Sequence, residues 1–458
     1  MVTNSYTSTY WLYLLAEMVQ RKHKEIETLA HRVFALNDRG NYTIPATGLY
    51  PHQWLWDSCF TAIGLRHVDA QRAAKELRSL VRGQWKNGML PHMLLHPGDS
   101  KEFWVWQGRQ HPDAPTDIAT SGITQPPILA EAVWLVGQKM PKAERHSFYH
   151  AMLPKIVRYH TWLYEDRDPQ NSGLVVLLHP WESGMDDSPP WITQLKRHGR
   201  PLWVKAVDFL QLDLVLAQVR RDKKYAPFGQ RTDTIDNLTL YSIQRQIKRK
   251  NYETKKVLAT TKFALEDLAF NAMFCKANRQ LENISAEIRV PLPERLRKNA
   301  RKTESAMELF WDDEHKTYYS RSYRTKNLIR SSSIATLLPL YGGGITKKRA
   351  KELVEGLLLR PERFSTPLPI PTVPTSSSIF HSQKYWQGPV WVNMNWMIIQ
   401  GLKDYGYHDE ARLVRDRTLE TIEIAGMREY FDPFTGHGLG GENFTWTAAL
   451  ALDLAHEA

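Results

Sequence analysis

Residues 148–163, FYHAMLPKIVRYHTWL, indicate the fold class of this chain. Apolar side chains stand at Phe148, Met152, Ile156, Tyr159 and Leu163, at intervals of 4, 4, 3 and 4 residues. This spacing places them on one face of an α-helix, whose turn takes about 3.6 residues. The stretch therefore predicts an amphipathic helix that packs this face inward.

The helical period recurs along the chain and predicts about twelve or thirteen helices. Few alternating segments compete with it, and Thr317 to Arg324 is the strongest candidate for a short piece of a hairpin. No strict repeat is present, but helix–loop–helix units recur at intervals of roughly 30 to 70 residues. We therefore expect an all-α fold, a ring of helical hairpins. Other predicted helices cover residues 17–36, 59–68, 70–85, 294–311, 331–341, 347–359, 390–405, 409–424 and 447–456.

The composition is that of a globular protein with a large core. The 458 residues are 42% hydrophobic and 24% charged, well outside the range of disordered chains. Two cysteines, Cys59 and Cys275, are too few for a disulfide framework and fit a reducing compartment. The apolar segment Tyr10 to Val19 follows no basic residue and contains Glu17, so we predict a cytoplasmic protein without a signal peptide. No apolar run in the sequence is long enough to cross a bilayer.

The net charge is +11, which would attract an anionic substrate, a membrane surface or nucleic acid. Its basic runs, at residues 245–250 and 295–302, are typical of solvated helix faces, so we expect neither a membrane nor a nucleic-acid partner. Sixteen tryptophans exceed the usual need of a core, and their faces suit sugar rings. We expect a small carbohydrate as the partner.

Residues 181–189, WESGMDDSP, offer three carboxylates on one short loop. Gly184 permits backbone angles that other residues resist, and prolines at the end of the loop limit its flexibility. A second acidic and aromatic cluster runs from Met427 to Pro433 and from Gly440 to Trp446. Two such loops, far apart in sequence, suggest one cleft closed by the fold.

Inverting hydrolysis of a glycosidic bond needs one protonated carboxyl and one ionised carboxylate on opposite sides of the bond. Asp186 and Glu429 suit these roles, because each lies in one of the two loops. The residues alone do not decide which of Glu182, Asp186 and Asp187 is the acid.

A third stretch, from Gln53 to Asp57, alternates polar side chains with Trp54 and Trp56 and suits sugar binding. The simpler alternative is a helix capped by Asp57 or Ser58. The spacing of His92 and His96 resembles a metal pair, but Pro91 and the lack of nearby acids argue against one. We expect no metal and no cofactor.

Six motifs, in order along almost the whole chain, resemble the clan of (α/α)6-barrel glycoside hydrolases that includes trehalases and processing α-glucosidase I. The likeness is strongest to bacterial glucosylglycerate and mannosylglycerate hydrolases. The motifs are Tyr50 with 53–57 (QWLWD), 124–127 (TQPP), 182–186 (ESGMD), 385–391 (YWQGPVW), Glu429 with Tyr430, and 440–446 (GGENFTW).

The resemblance implies a single (α/α)6 catalytic domain over residues 1–458. We expect loops or excursions at about 97–117, 222–258 and 361–378, and we interpret the second as peripheral because it has the weakest helical period in the chain. It implies that Asp186 is the general acid and Glu429 the general base, with Glu442 supporting the base or the water. It implies an inverting α-glycosidase that acts on glucosylglycerate or mannosylglycerate. The predicted substrate-binding residues are Tyr50, Gln53, Trp54, Trp56, Asp57, Gln125, Glu182, Tyr385, Trp386, Gln387, Trp391 and Glu442.

Two departures bear on the substrate. Trehalase-like members carry an aromatic residue where Met185 stands here, and an arginine shortly beyond the acid, which residues 187–193 lack. The glycerate-releasing relatives hold the glycerate carboxylate with an arginine, for which Arg200 and Arg220 are candidates. The alternatives are an α-glucosidase for a neutral disaccharide or oligosaccharide, such as kojibiose or trehalose, and a non-catalytic sugar-binding protein.

Overall fold

The computed structural model describes residues 24–96, 105–198, 200–212, 222, 227 and 229–457. Several sequence predictions lie outside these residues: the segment Tyr10 to Val19, the start of the helix predicted over 17–36, residues 97–104 of the first excursion, and Arg220. No helix among the described residues combines the length and the apolar content that a bilayer span requires.

Helices supply the main framework of the described chain. In chain order they are α1 (24–37), α2 (Leu55–Leu65), α3 (Ala70–Leu80), α4 (Leu129–Gln138), α5 (Lys142–Asp166), α6 (Pro189–His198), α7 (Leu202–Phe209), α8 (Thr234–Arg249), α9 (Thr254–Thr260), α10 (Leu268–Glu287), α11 (Glu294–Ala306), α12 (Pro339–Gly342), α13 (Lys347–Leu353), α14 (Val392–Asp404), α15 (His408–Ala425) and α16 (Thr445–Ala455).

Six of these helices form a closed inner ring. Helix α2 packs on α4, α4 on α10, α10 on α12, α12 on α14, and α14 on α16, which returns to α2. Every residue of α2 and α16 is buried, as expected of helices covered on all sides. Gly64 of α2 allows the closest approach, because a Cβ there would lie 2.3 Å from the Cα of Ala449.

Six further helices, α1, α3, α5, α11, α13 and α15, alternate with the inner ones along the chain and form the outer layer. They bury one stripe instead of their whole surface. In α5 the five apolar residues from Phe148 to Leu163 that define the helical period are all buried, which confirms that prediction. The alternation of six inner and six outer helices is an (α/α)6 barrel, as the sequence predicts.

Short strands join the loops at one end of the barrel. Strands β1 (Gln53–Trp54), β2 (Met93–Leu95) and β3 (Ala119–Thr120) form an antiparallel sheet. Another contains β4 (Val176–Leu177), β5 (Leu265–Glu266) and β8 (Arg321–Ser322). The strands β6 (Trp311–Asp312) and β7 (Thr317–Tyr318) pair together, as do β9 (Tyr430–Phe431) and β10 (Gly438–Leu439).

Local structure differs from the sequence prediction in its details. The segment from Thr317 to Arg324 does contribute a strand to a hairpin, because β7 pairs antiparallel with β6, but it also contains β8, which pairs with β5. Several predicted helices end earlier in a 3₁₀ turn, as α3 does at Val81–Gly83 and α11 at Met307–Phe310. A 3₁₀ turn at a helix end satisfies some of the terminal backbone carbonyls. The apolar period of the sequence does not distinguish such a turn from a further turn of α-helix.

Candidate active site

The loops that lead into α2, α4, α6, α14 and α16, together with residues before and within α8, surround a cavity of about 310 Å³, a size typical of small-molecule sites. These loops carry most of the motifs that the sequence singles out. The lining residues are Leu49, Tyr50, Trp54, Trp56, Asp57, His92, Trp106, Gln125, Trp181, Gly184, Asp186, Asp222, Arg231, Thr232, Asn237, Tyr241, Tyr385, Trp386, Trp391, Glu429, Phe444 and Trp446.

The three carboxylates of the acidic loop point to different parts of the structure. A 3₁₀ turn over Pro180–Ser183 ends at Gly184, whose φ of 71° is left-handed. A Cβ at Gly184 would lie 2.6 Å from the Trp56 ring, so glycine is required both by the backbone angle and by the space. Of the three acids, only Asp186 lines the cavity.

Asp186 is prepared to carry a proton near neutral pH. Burial raises its pKa from 3.8 to about 7, and the charge of Glu429 adds to the rise. The charge of Arg231 and a hydrogen bond with Tyr385 oppose it. A carboxyl with this pKa is protonated in a large share of molecules at pH 7, as a general acid requires.

Glu182 holds the scaffold together behind the cavity. Both of its carboxylate oxygens accept from the guanidinium of Arg167, at 2.8 and 2.9 Å, and the backbone N–H of Leu178 donates to it at 2.8 Å. Its side chain is fully buried. The expectation that Glu182 contacts substrate is therefore not met, because its lone pairs are used by the protein.

Asp187 also lies behind the cavity wall. Its Oδ1 accepts from the backbone N–H of Trp386 at 3.1 Å, and burial raises its pKa to about 7. Asp187 thereby ties the acidic loop to the 385–391 loop. Asp187 thus has a raised pKa as Asp186 does, but unlike Asp186 it does not line the cavity.

Glu429 faces Asp186 from the opposite loop and is held by three residues. Its Oε1 accepts from the Tyr50 hydroxyl at 2.7 Å, and its Oε2 accepts from the backbone N–H of Gly441 at 2.8 Å. Arg231 Nη1 lies 3.0 Å from Oε1 and 3.1 Å from Oε2. These contacts fix the orientation of the carboxylate.

Arg231 is a site residue that the sequence analysis missed. Besides Glu429, it donates to the Tyr50 hydroxyl at 2.6 Å and lies 4.2 Å from the centre of the Tyr385 ring. The sequence predicts a peripheral excursion over 222–258, and this is wrong for its first part, which supplies Arg231, Asn237 and Tyr241 to the cavity wall. No motif or helical period surrounds Arg231, so its role follows only from the contacts.

The segment before Arg231 is bound to the catalytic loops. The backbone carbonyl of Gln230 accepts from the Tyr430 hydroxyl at 2.7 Å and from the Tyr385 N–H at 3.1 Å. Its side-chain oxygen accepts from the Gly440 N–H at 3.2 Å. These contacts of Gln230 fix the backbone next to Arg231 and so limit the positions that the Arg231 guanidinium can occupy.

Aromatic rings form most of the remaining wall. Trp386 and Trp391 stack at 3.9 Å, and Trp56 meets Trp446 edge to face at 5.2 Å. Asp57 stands among these rings in the first turn of α2, where burial raises its pKa well above the usual value. The helix begins at Leu55 without a side-chain cap, so the capping role considered for Asp57 and Ser58 is wrong.

Several polar atoms on this wall have no hydrogen-bond partner within the described structure. Buried polar atoms in proteins are normally satisfied, so a ligand rich in hydroxyl groups would complete the set. These atoms are Trp54 Nε1, His92 Nε2, Gln125 Oε1, Trp386 Nε1 and Trp446 Nε1.

Three further predicted substrate contacts do not reach the cavity. Gln53 is fully buried and bonds Ser58 and Ser79. Gln387 donates to the backbone of Asp187 at 3.0 Å. Glu442 is exposed and pairs with Arg428 at 2.9 Å, so the predicted support of the base comes instead from the N–H of its neighbour, Gly441.

Of the candidates for a carboxylate clamp, Arg200 is already paired elsewhere. It bonds Asp208 at 2.8 Å and Asp236 at 3.0 Å, and it does not line the cavity. Arg220 lies outside the described residues. Arg231 is the arginine found in the cavity wall of the described chain.

The loops at one end of this (α/α)6 barrel bring two carboxyl groups from distant parts of the sequence to one cavity. The cavity has aromatic walls and polar atoms that can bind hydroxyl groups. Together these features define a glycoside hydrolase of the (α/α)6 class. The family model for the mannosylglycerate hydrolase MGH1-like glycoside hydrolase domain matches residues 50–447. This chain belongs to that family.

Individual relatives agree with this assignment. A mannosylglycerate hydrolase of Thermus thermophilus is 37% identical over 92% of this chain and 99% of its own. A glucosylglycerate hydrolase of Mycolicibacterium hassiacum is 30% identical over 91% of this chain and 94% of its own. The crystal structure of a Thermus thermophilus mannosylglycerate hydrolase with Tris and D-glycerate superposes with a TM-score of 0.83 at 36% identity, over 93% of this chain and 99% of that one.

Proposed function

We propose that this protein is an inverting α-glycosidase that hydrolyses mannosylglycerate or glucosylglycerate. The observation that carries the proposal is the pairing, across one cavity, of a carboxyl with a pKa of about 7 and a carboxylate whose two oxygens accept from Arg231. The names of the relatives support the substrate class. Mannosylglycerate is the first choice, because the relative at 37% identity has that name.

Each carboxyl group has one task in this mechanism. Asp186 gives its proton to the glycosidic oxygen, and the bond from that oxygen to the anomeric carbon breaks. Glu429 takes a proton from a water molecule whose oxygen attacks the anomeric carbon from the other face. The products are glycerate and a sugar of inverted, β configuration.

We propose that Arg231 binds the glycerate carboxylate. A guanidinium presents a planar set of donors that matches a carboxylate, and Arg231 lies in the cavity wall next to Tyr50. The net charge of +11 favours the approach of an anionic substrate as well. The aromatic residues Trp54, Trp56 and Trp391 would then surround the sugar ring.

We also propose a single catalytic domain and a cytoplasmic location. Cys59 and Cys275 are free and buried, which supports a reducing compartment.

Sugar release tests the function. The purified protein is incubated with mannosylglycerate, glucosylglycerate, trehalose, kojibiose and maltose, and the anomer of the fresh product is recorded by NMR. We expect β-sugar from one or both glycerate glycosides. Initial release of α-sugar would contradict inversion, and hydrolysis of a neutral disaccharide alone would contradict the proposed substrate.

A further inference from the structure

The base carboxylate has no free acceptor position in this structure. A carboxylate offers about four lone-pair sites, two on each oxygen. Oε1 of Glu429 accepts from Tyr50 and Arg231, and Oε2 accepts from Gly441 and Arg231. All four sites are therefore occupied by protein donors, although a general base needs one for the proton of the attacking water.

Two of the donors are fixed by their surroundings. The N–H of Gly441 is a backbone group, and the carbonyl of the same residue accepts from the Glu429 N–H at 2.9 Å. The Tyr50 ring is held edge to face by Trp54 and Phe444. Neither donor can leave Glu429 without a change in the loop that carries it.

Arg231 is different because a substrate can compete for it. Its guanidinium stands at the end of a long side chain, whereas its backbone is held through Gln230. It is a cation in the cavity wall, and a carboxylate bound beside it would attract the same donors that now contact Glu429.

We propose that Arg231 blocks the base in the free enzyme and that the carboxylate of the substrate releases it. When the glycerate carboxylate takes the guanidinium, one acceptor site on Glu429 opens toward the water. Recognition of the anionic leaving group thus enables the chemical step, and neutral glycosides are disfavoured in kcat as well as in KM. This inference rests on the proposed function.

The test uses a substrate without a carboxylate. The substrate is the α-glycosyl fluoride of the sugar whose glycerate glycoside is hydrolysed in the release assay. Its small leaving group leaves the glycerate subsite open, so free D-glycerate can bind beside it. We expect D-glycerate to raise fluoride hydrolysis by wild-type enzyme on the order of tenfold, a common size for coupling between two ligands. Glycerol at the same concentrations, which lacks the charge, should not activate.

The variant Arg231→Met removes the blocking donor. We expect its fluoride hydrolysis without glycerate to reach the activated wild-type rate, and its response to glycerate to disappear. Arg428→Met is the matched control, because Arg428 pairs with Glu442 on the neighbouring loop outside the cavity. That control should keep the activation.

If D-glycerate only inhibits wild-type fluoride hydrolysis or leaves it unchanged, the blocking role is refuted even if Arg231→Met fails to fold. This outcome differs from failure of the proposed function, in which neither glycerate glycoside is hydrolysed.

Discussion

Replacing Asp186 by asparagine tests the central assignment, because it removes the proton that leaves with the glycosidic oxygen. An ordinary aspartate, with a pKa of 3.8, would be protonated in about one molecule in 1,600 at pH 7. With the pKa raised to about 7, half of the molecules carry the proton. The cavity thus increases the population of the acid about 800-fold at this pH.

The wild-type kcat/KM for the glycerate glycoside should therefore fall tenfold per pH unit above about pH 7, as Asp186 loses its proton. In Asp186→Asn this alkaline limb should vanish. Turnover should fall by about 10² to 10⁴, the usual contribution of a general acid. Hydrolysis of the glycosyl fluoride should fall much less, since fluoride departs with less help from a proton.

The assay measures kcat/KM for both substrates from pH 5 to pH 9. The control is Asp187→Asn, which removes a second carboxyl with a pKa of about 7 but keeps an oxygen for the Trp386 N–H. It should retain the limb. An unchanged limb in Asp186→Asn, or equal losses on both substrates, would refute the assignment of Asp186 as the acid.

Three further predictions follow from the same contacts. Arg167→Met leaves the buried Glu182 carboxylate unpaired, so the free energy of unfolding, measured by urea titration, should fall by about 3–5 kcal/mol. The kcat should stay close to that of wild type. A large loss of kcat in the folded variant would contradict the structural role of the pair. Gly440→Ala would place a Cβ 2.5 Å from Glu429 Oε2 at a φ of +66°, and we expect a loss in kcat of about a hundredfold; wild-type turnover would contradict this geometry. A carboxyl whose pKa is raised in the folded state from 3.8 to about 7 reduces stability as the pH rises through this range. Asp186→Asn should therefore raise the melting temperature at pH 8 and change it little at pH 4, and equal shifts at both pH values would contradict a buried Asp186 with a raised pKa.

The helical framework could be predicted well because its cause is local. Apolar residues such as those of 148–163 repeat with the helix period, and any helix with that pattern must bury the same face. Ends of elements were predicted less well, because 3₁₀ turns and two-residue strands depend on partners elsewhere in the fold. The two strands within 317–324 are an example, since each pairs with a different segment.

Some residues of the candidate site could also be predicted from local sequence, and others could not. Asp186 and Glu429 belong to motifs with unusual local composition, so the sequence could indicate them. Gln53, Glu182, Gln387 and Glu442 also belong to the six motifs, but the fold turns their side chains away from the cavity. The direction of a side chain in a loop depends on the backbone around it, as the left-handed Gly184 shows.

The sequence by itself determined the helical period and the residue types available for chemistry, because both are properties of short stretches. Only the tertiary structure decided which carboxyl reaches substrate, how far its pKa rises, and which arginine completes the site. Arg231 meets Glu429 across 198 residues of chain, and no local pattern encodes that meeting. Burial and neighbouring charge set the protonation of Asp186, and both exist only once the loops are brought together around the barrel.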